Sequence, residues 1–189
     1  MFWARMVALM VENNITANRW IYGLAYFGVM ALLTLLYVMP IELWPSRIPG
    51  PDLLICVTFA WVLRRPQYVP TLLVAAVIFV TDVLFLRPLG LWTALVVVAI
   101  EFLRVRESGL REQGFAVEWA TVSALLLAIT IANRLILTVF LVDQTGIGLM
   151  ILQLLVTILA YPLVVLLSRF AFSVNKMTPR DTDARGRPR

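Results

Sequence analysis

Apolar runs alternate with short polar punctuation along almost the whole chain. The first run, Trp20 to Met39, holds no charge between Arg19 and the closing Pro40. Its twenty residues reach about 30 Å as a helix, the hydrocarbon thickness of a bilayer. Pro45, Pro49 and Gly50 mark a loop, and Pro51-Asp52 reads as a helix start. Proline needs no amide hydrogen there, and a carboxylate suits the positive end of a helix. The next run, 53–63, is short and covers only about 20 Å even counted from Pro51. It is expected to recruit flanking residues, to let Arg64 and Arg65 snorkel, or to sit in thinned membrane. Runs at 71–86, 91–103, 115–142 and 147–167 follow. Between them lie Pro66 and Pro70, the turn Arg87-Pro88-Leu89-Gly90, a charged loop from Arg104 to Gly114, and Asp143-Gln144-Thr145-Gly146.

The ends differ from this pattern. Residues 1–18 are mixed and lack the small-x-small site that closes a signal peptide, so they read as an interfacial or loosely ordered arm. From Ser168 the chain is polar and basic, with Pro179 and Pro188, and reads as a disordered tail over 168–189. The pattern predicts an all-α polytopic membrane protein with six transmembrane helices within residues 19–167.

Composition agrees. Apolar residues make up 61% and charged residues 14%, far from the roughly 45–50% and 25% of soluble domains. The net charge of +5 would point to nucleic acid in a soluble protein, but here the basic residues punctuate apolar runs. With the N-terminus inside, cytoplasmic segments carry Arg5, Arg19, Arg64, Arg65, Arg104, Arg106, Arg111, Arg169, Lys176, Arg180, Arg185, Arg187 and Arg189, and outer loops only Arg47 and Arg87. Thirteen against two, with Arg134 inside a span completing the sixteen, predicts both termini in the cytoplasm and an even number of spans.

Charges inside apolar runs cost about 2.5–3.5 kcal/mol each at mid-helix on insertion scales, which makes Asp82 and Arg134 the first candidates for a role. Their depths allow an ion pair that holds the bundle together. Asp82 is expected to be held either by Arg134 or by a neighbouring backbone amide or hydroxyl. Glu101 and Glu118 are expected in interfacial salt bridges with Arg104, Arg106 or Arg111. Asp52 reads as a first-turn carboxylate, and Trp44, Trp61, Trp92 and Trp119 as an aromatic belt at span ends. The chain has no histidine and a single cysteine, Cys56, which leaves no imidazole base and no thiolate metal cluster. No phosphate-binding glycine loop, nucleophile elbow or HExxH motif occurs. The expectation is a non-enzymatic protein without cofactor or metal.

Between Pro49 and Leu91 the chain reads Pro-Gly-Pro-Asp-Leu-Leu, then Trp61-Val-Leu-Arg64-Arg65-Pro66, Thr81-Asp82-Val-Leu and Pro88-Leu89-Gly90-Leu91. This resembles the MreD family of bacterial rod shape-determining membrane proteins. That family has a proline-led second helix ending in Trp-x-x-Arg-Arg-Pro, an aspartate in the third helix and a Pro-Leu-Gly turn. Members often have glycine four residues before that aspartate, where this chain has Ile78. The resemblance implies a non-catalytic component of the cell-elongation complex in the cell inner membrane. The scaffold MreC would be its partner and, through it, MreB filaments, the elongation glycosyltransferase and its penicillin-binding transpeptidase. The family is similar in fold to substrate-binding subunits of energy-coupling-factor transporters, so the alternative it implies is a small-molecule- or lipid-binding subunit.

Overall fold

The computed structural model describes residues 2–39, 50–64, 66, 69–142, 144 and 146–172. Among them are six α-helices and no strand: α1 (Phe2–Val38), α2 (Leu53–Arg64), α3 (Thr71–Leu84), α4 (Leu91–Glu112), α5 (Phe115–Val139) and α6 (Ile147–Phe172). Arg65, Trp44 and the tail beyond 172 lie outside the described residues. Two boundaries differ from the sequence reading. Residues 2–18 belong to α1, which begins at Phe2, because no proline or glycine precedes Gly23 to break it. The stretch from Arg104, expected as a loop, continues α4 to Glu112. Its arginines, glutamates and leucine are good helix formers, and one glycine is tolerated.

Successive helices run in opposite directions. Tyr26 of α1 meets Trp61 near the end of α2, while Tyr37 donates to the carbonyl of Pro51 ahead of α2. Thr71 at the start of α3 bonds Glu101 in α4, and Asp82 near the end of α3 bonds Thr93 at the start of α4. Trp119 in α5 reaches Ile158 in α6, and Arg134 reaches Met150. One end of the bundle therefore gathers Arg64, Thr71 and Glu118, and the other gathers Asp52, Asp82 and Arg134.

The short second helix lies at the centre. Every residue of α2 from Leu54 to Arg64 is buried, with α1, α4 and α6 packed against it. A helix apolar on all sides is one enclosed by other helices. Its twelve residues span about 18 Å, and its amino end, Pro51 to Leu53, is half-buried. The polar groups there are met by protein. Thr157 Oγ1 accepts from the Asp52 amide at 3.0 Å, Tyr37 Oη from the Leu53 amide at 3.4 Å, and Asp52 Oδ1 from the Ile55 amide at 3.3 Å. Asp52 is thus the N-cap, close to the first-turn carboxylate read from sequence.

Three helical segments are long and apolar enough to cross a membrane: Trp20–Val38, Phe115–Val139 and Ile147–Ser168. Their outer faces present large exposed apolar side chains such as Trp20, Leu24, Leu135, Leu159 and Leu163. A surface of that kind suits lipid rather than water, so the chain is a membrane protein.

Inside α6, Pro162 interrupts the helical ladder. It has no N–H for the carbonyl of Ile158 four residues earlier. The indole Nε1 of Trp119 donates to that carbonyl at 3.0 Å, replacing the missing bond and tying α5 to α6. Trp119→Phe should therefore lower stability by about 1–3 kcal/mol, the cost of stranding a buried acceptor. In a Pro162→Ala background, where alanine supplies the amide, the penalty should shrink. Unfolding in detergent micelles measures both; an equal penalty in the two backgrounds would contradict the repair.

Candidate functional site

Three polar constructions interrupt the apolar interior, and the residues singled out in the sequence divide among them.

At the first end, Arg64 closes α2. It was expected to snorkel to the membrane surface, yet only 3% of it is exposed. Its Nη2 lies 3.0 Å from Glu118 Oε1, and its Nη1 donates to the carbonyl of Ala60 at 3.1 Å. Tyr161 donates its hydroxyl to the same Glu118 oxygen at 2.9 Å. Glu118 is fully buried and takes the cation that reaches it from α2, where an arginine of the 104–111 stretch was expected. One carboxylate thus joins α2, α5 and α6. Trp61, expected in an interfacial belt, is 1% exposed and packs on Tyr26 with ring centroids 5.8 Å apart. It stands one turn before Arg64, on a helix with no free face.

The α2–α3 corner beside this lock is held from α4. Arg104 donates to the carbonyl of Pro66 at 3.1 Å and to that of Val69. Glu101, 3.7 Å from Arg104 Nε, also accepts from Thr71. The salt bridge expected for Glu101 is present. Arg104 thus holds the corner from α4, while Arg65, the second arginine expected to anchor it, lies outside the described residues.

The second construction joins α3 to α4. Asp82 is fully buried, and its Oδ2 accepts from the Thr93 amide at 3.1 Å and the Thr93 hydroxyl at 2.7 Å. Of the two arrangements considered for Asp82, the amide and hydroxyl are realised and the pair with Arg134 is not. The carboxylate has gone to the nearest positive end, the first turn of α4, where amides point outward and the helix dipole favours an anion. Gly90 is the N-cap of α4 at φ 78°, a left-handed conformation natural to glycine. The Leu91 amide closes the turn on the carbonyl of Pro88 at 3.3 Å. Pro88, Gly90 and Asp82 together make a tight hairpin.

The third is a cavity of about 330 Å³ at the Asp52 end, between α2, α4, α5 and α6. It brings Asp52, Pro88 and Arg134 together. Two side chains that the sequence reading gave no such role, Arg87 and Trp92, also line it. Arg87 Nη2 stands 3.9 Å from Asp52 Oδ2, and its guanidinium lies over the rings of Phe85 and Trp92 at 5.3 and 5.6 Å. Asn133 and Gln153 add carboxamides. Gln153 and Thr157, one turn apart in an otherwise apolar run, were the available signal, since polar side chains on a span turn inward. Among the described residues no group of three acidic or cysteine side chains could hold a metal ion.

A double-mutant cycle tests the lock. Arg64→Gln and Glu118→Gln should each cost about 3–5 kcal/mol, because either strands a buried charge. The double variant should cost less than their sum. Asp82→Asn and Arg134→Gln should add within about 0.5 kcal/mol, because Asp82 is held by Thr93. Additivity at the first pair, or coupling at the second, would refute this assignment of partners.

Comparison with protein-family models, with curated proteins and with solved structures finds no match for this chain.

Proposed function

We propose that the chain is a six-span protein of the bacterial inner membrane, both termini cytoplasmic, that serves as a non-catalytic MreD-like component of the cell-elongation complex. The alternating directions of the six helices support the topology, with α2 carried across inside the bundle rather than through lipid. The arginine and lysine bias supports the orientation. The observation that carries the function is what the residues of the resemblance do. Asp52 and Pro88 line the cavity, whereas Arg64, Asp82 and Gly90 join helices or shape a turn. Residues used in that way fix the form of a bundle, and a bundle of fixed form offers a constant outer surface to a scaffold such as MreC.

A second reading, a small-molecule-binding subunit, is favoured by the cavity, whose volume of about 330 Å³ lies at the lower end of the ligand-site range.

Purification of the tagged protein from cells in mild detergent, followed by mass spectrometry, tests the first reading. An MreC-type scaffold should co-purify. Arg64→Lys should insert normally yet lose the scaffold and rod shape, because an ammonium cannot reproduce a fork shared by Glu118 and the Ala60 carbonyl. Wild-type protein that captures no scaffold, or full complementation by Arg64→Lys, would overturn the proposal.

A further inference from the structure

We infer that the cavity at the Asp52 end is a binding site for a phosphate-bearing amphiphile of net negative charge, its anionic group held between Arg87 and Arg134. The inference goes beyond the elongation reading and stands whichever protein the chain assembles with.

Among the described residues one aspartate and two arginines line the cavity, and an oxyanion is the ligand that a pair of guanidinium groups favours. They come from different elements, Arg87 from the α3–α4 turn and Arg134 from the last third of α5. A single ligand placed in the cavity therefore meets both.

Pre-organisation is the second point. Arg87 is held against two aromatic rings, which fixes the guanidinium plane and leaves its edge donors available to an oxyanion. Its distance of 3.9 Å from Asp52 is an ion-pair separation, longer than a hydrogen bond. Asp52 is also engaged as the N-cap of α2 through Oδ1. A phosphate bound in bidentate fashion by Arg87 would form shorter, charge-assisted bonds than the present pair. Arg134, whose Nη1 lies 3.8 Å from Met150 Sδ, adds a second guanidinium to the lining, and Asn133 and Gln153 add neutral carboxamides.

The rest of the lining sets the other half of the ligand. Trp92, Leu126, Leu137, Met150 and Leu154 form an apolar wall. A bare inorganic anion leaves that wall uncovered, whereas an anion with an apolar body covers it. A lipid headgroup with the first part of its chains and a soluble organic phosphate share this chemistry.

Thermal unfolding of the purified full-length protein in a neutral detergent separates the possibilities. The probes are short-chain phosphatidylglycerol, short-chain phosphatidylcholine and inorganic pyrophosphate. Phosphatidylglycerol should raise Tm in a saturable way, and phosphatidylcholine should not. A saturable rise with pyrophosphate as well assigns the site to phosphates in general; a rise with phosphatidylglycerol alone assigns it to a lipid headgroup. Both outcomes support the anion site. Arg87→Gln and Arg134→Gln should each weaken apparent affinity about tenfold, the loss of roughly one charge-assisted bond. Asp52→Asn keeps the N-cap, since asparagine caps as well as aspartate, and removes the competing carboxylate, so it should tighten binding. That gain distinguishes a ligand site from general damage even if an arginine variant fails to fold. No saturable shift with either anion, undiminished binding in both arginine variants, or weaker binding in Asp52→Asn would overturn the site.

Discussion

A helix of twelve residues in a membrane protein must be enclosed by other helices, and most of this bundle's interior follows from that constraint. About 18 Å of helix leaves its ends short of both surfaces, and hydrocarbon offers no partner for an unpaired amide. The ends of α2 are accordingly built into the protein. Thr157, Tyr37 and Asp52 meet the amides at one end, and Glu118 meets Arg64 at the other. The helices that supply these partners are thereby fixed around α2. The positions of α1, α5 and α6 are consequences of the same requirement.

The two ends of the bundle are built for different purposes. At the Arg64 end, charges are paired, buried and shared among three helices, with Arg104 closing the neighbouring corner on backbone carbonyls. Such a construction resists change, because removing either charge leaves the other stranded in low dielectric. The Asp52 end is looser. Its ion pair is long, and a cavity lined by polar and apolar side chains lies beside it. A rigid end beside an adaptable one suits a protein that holds its shape while one face meets a ligand.

How much of this was legible depended on which force decided each feature. The six apolar runs, the place of Asp52 at the start of a helix and the salt bridge between Glu101 and Arg104 follow from local rules, and the sequence reading contains them. The ends of α3 and α5 were placed two to three residues late. Both helices close through Schellman bonds, with Leu86 and Leu141 at φ 52° and 54°, and no glycine announces that position. The partners of Arg64 and Glu118 were not legible, and for Asp82 one of the two expected arrangements, the amide and hydroxyl, is realised. Depth along a span says which residues share a level but not which faces meet. Arg134 was matched to Asp82 on depth, whereas the amides opening α4 were nearer to that carboxylate. Trp119 and Pro162 lie far apart in sequence, and their connection exists only after α5 and α6 pack.

The central claim is that α2 is covered by protein on every side while its neighbours face lipid. Reconstitution into bilayers containing a diazirine-bearing phospholipid, followed by photolysis and peptide mass spectrometry, reads that directly. Adducts should fall on exposed faces of α1, α3, α5 and α6, at side chains such as Leu24, Leu72, Leu135 and Leu159, and the peptide 53–64 should carry none. Adducts on that peptide at a yield matching α1 or α6 would place α2 against lipid and contradict the account.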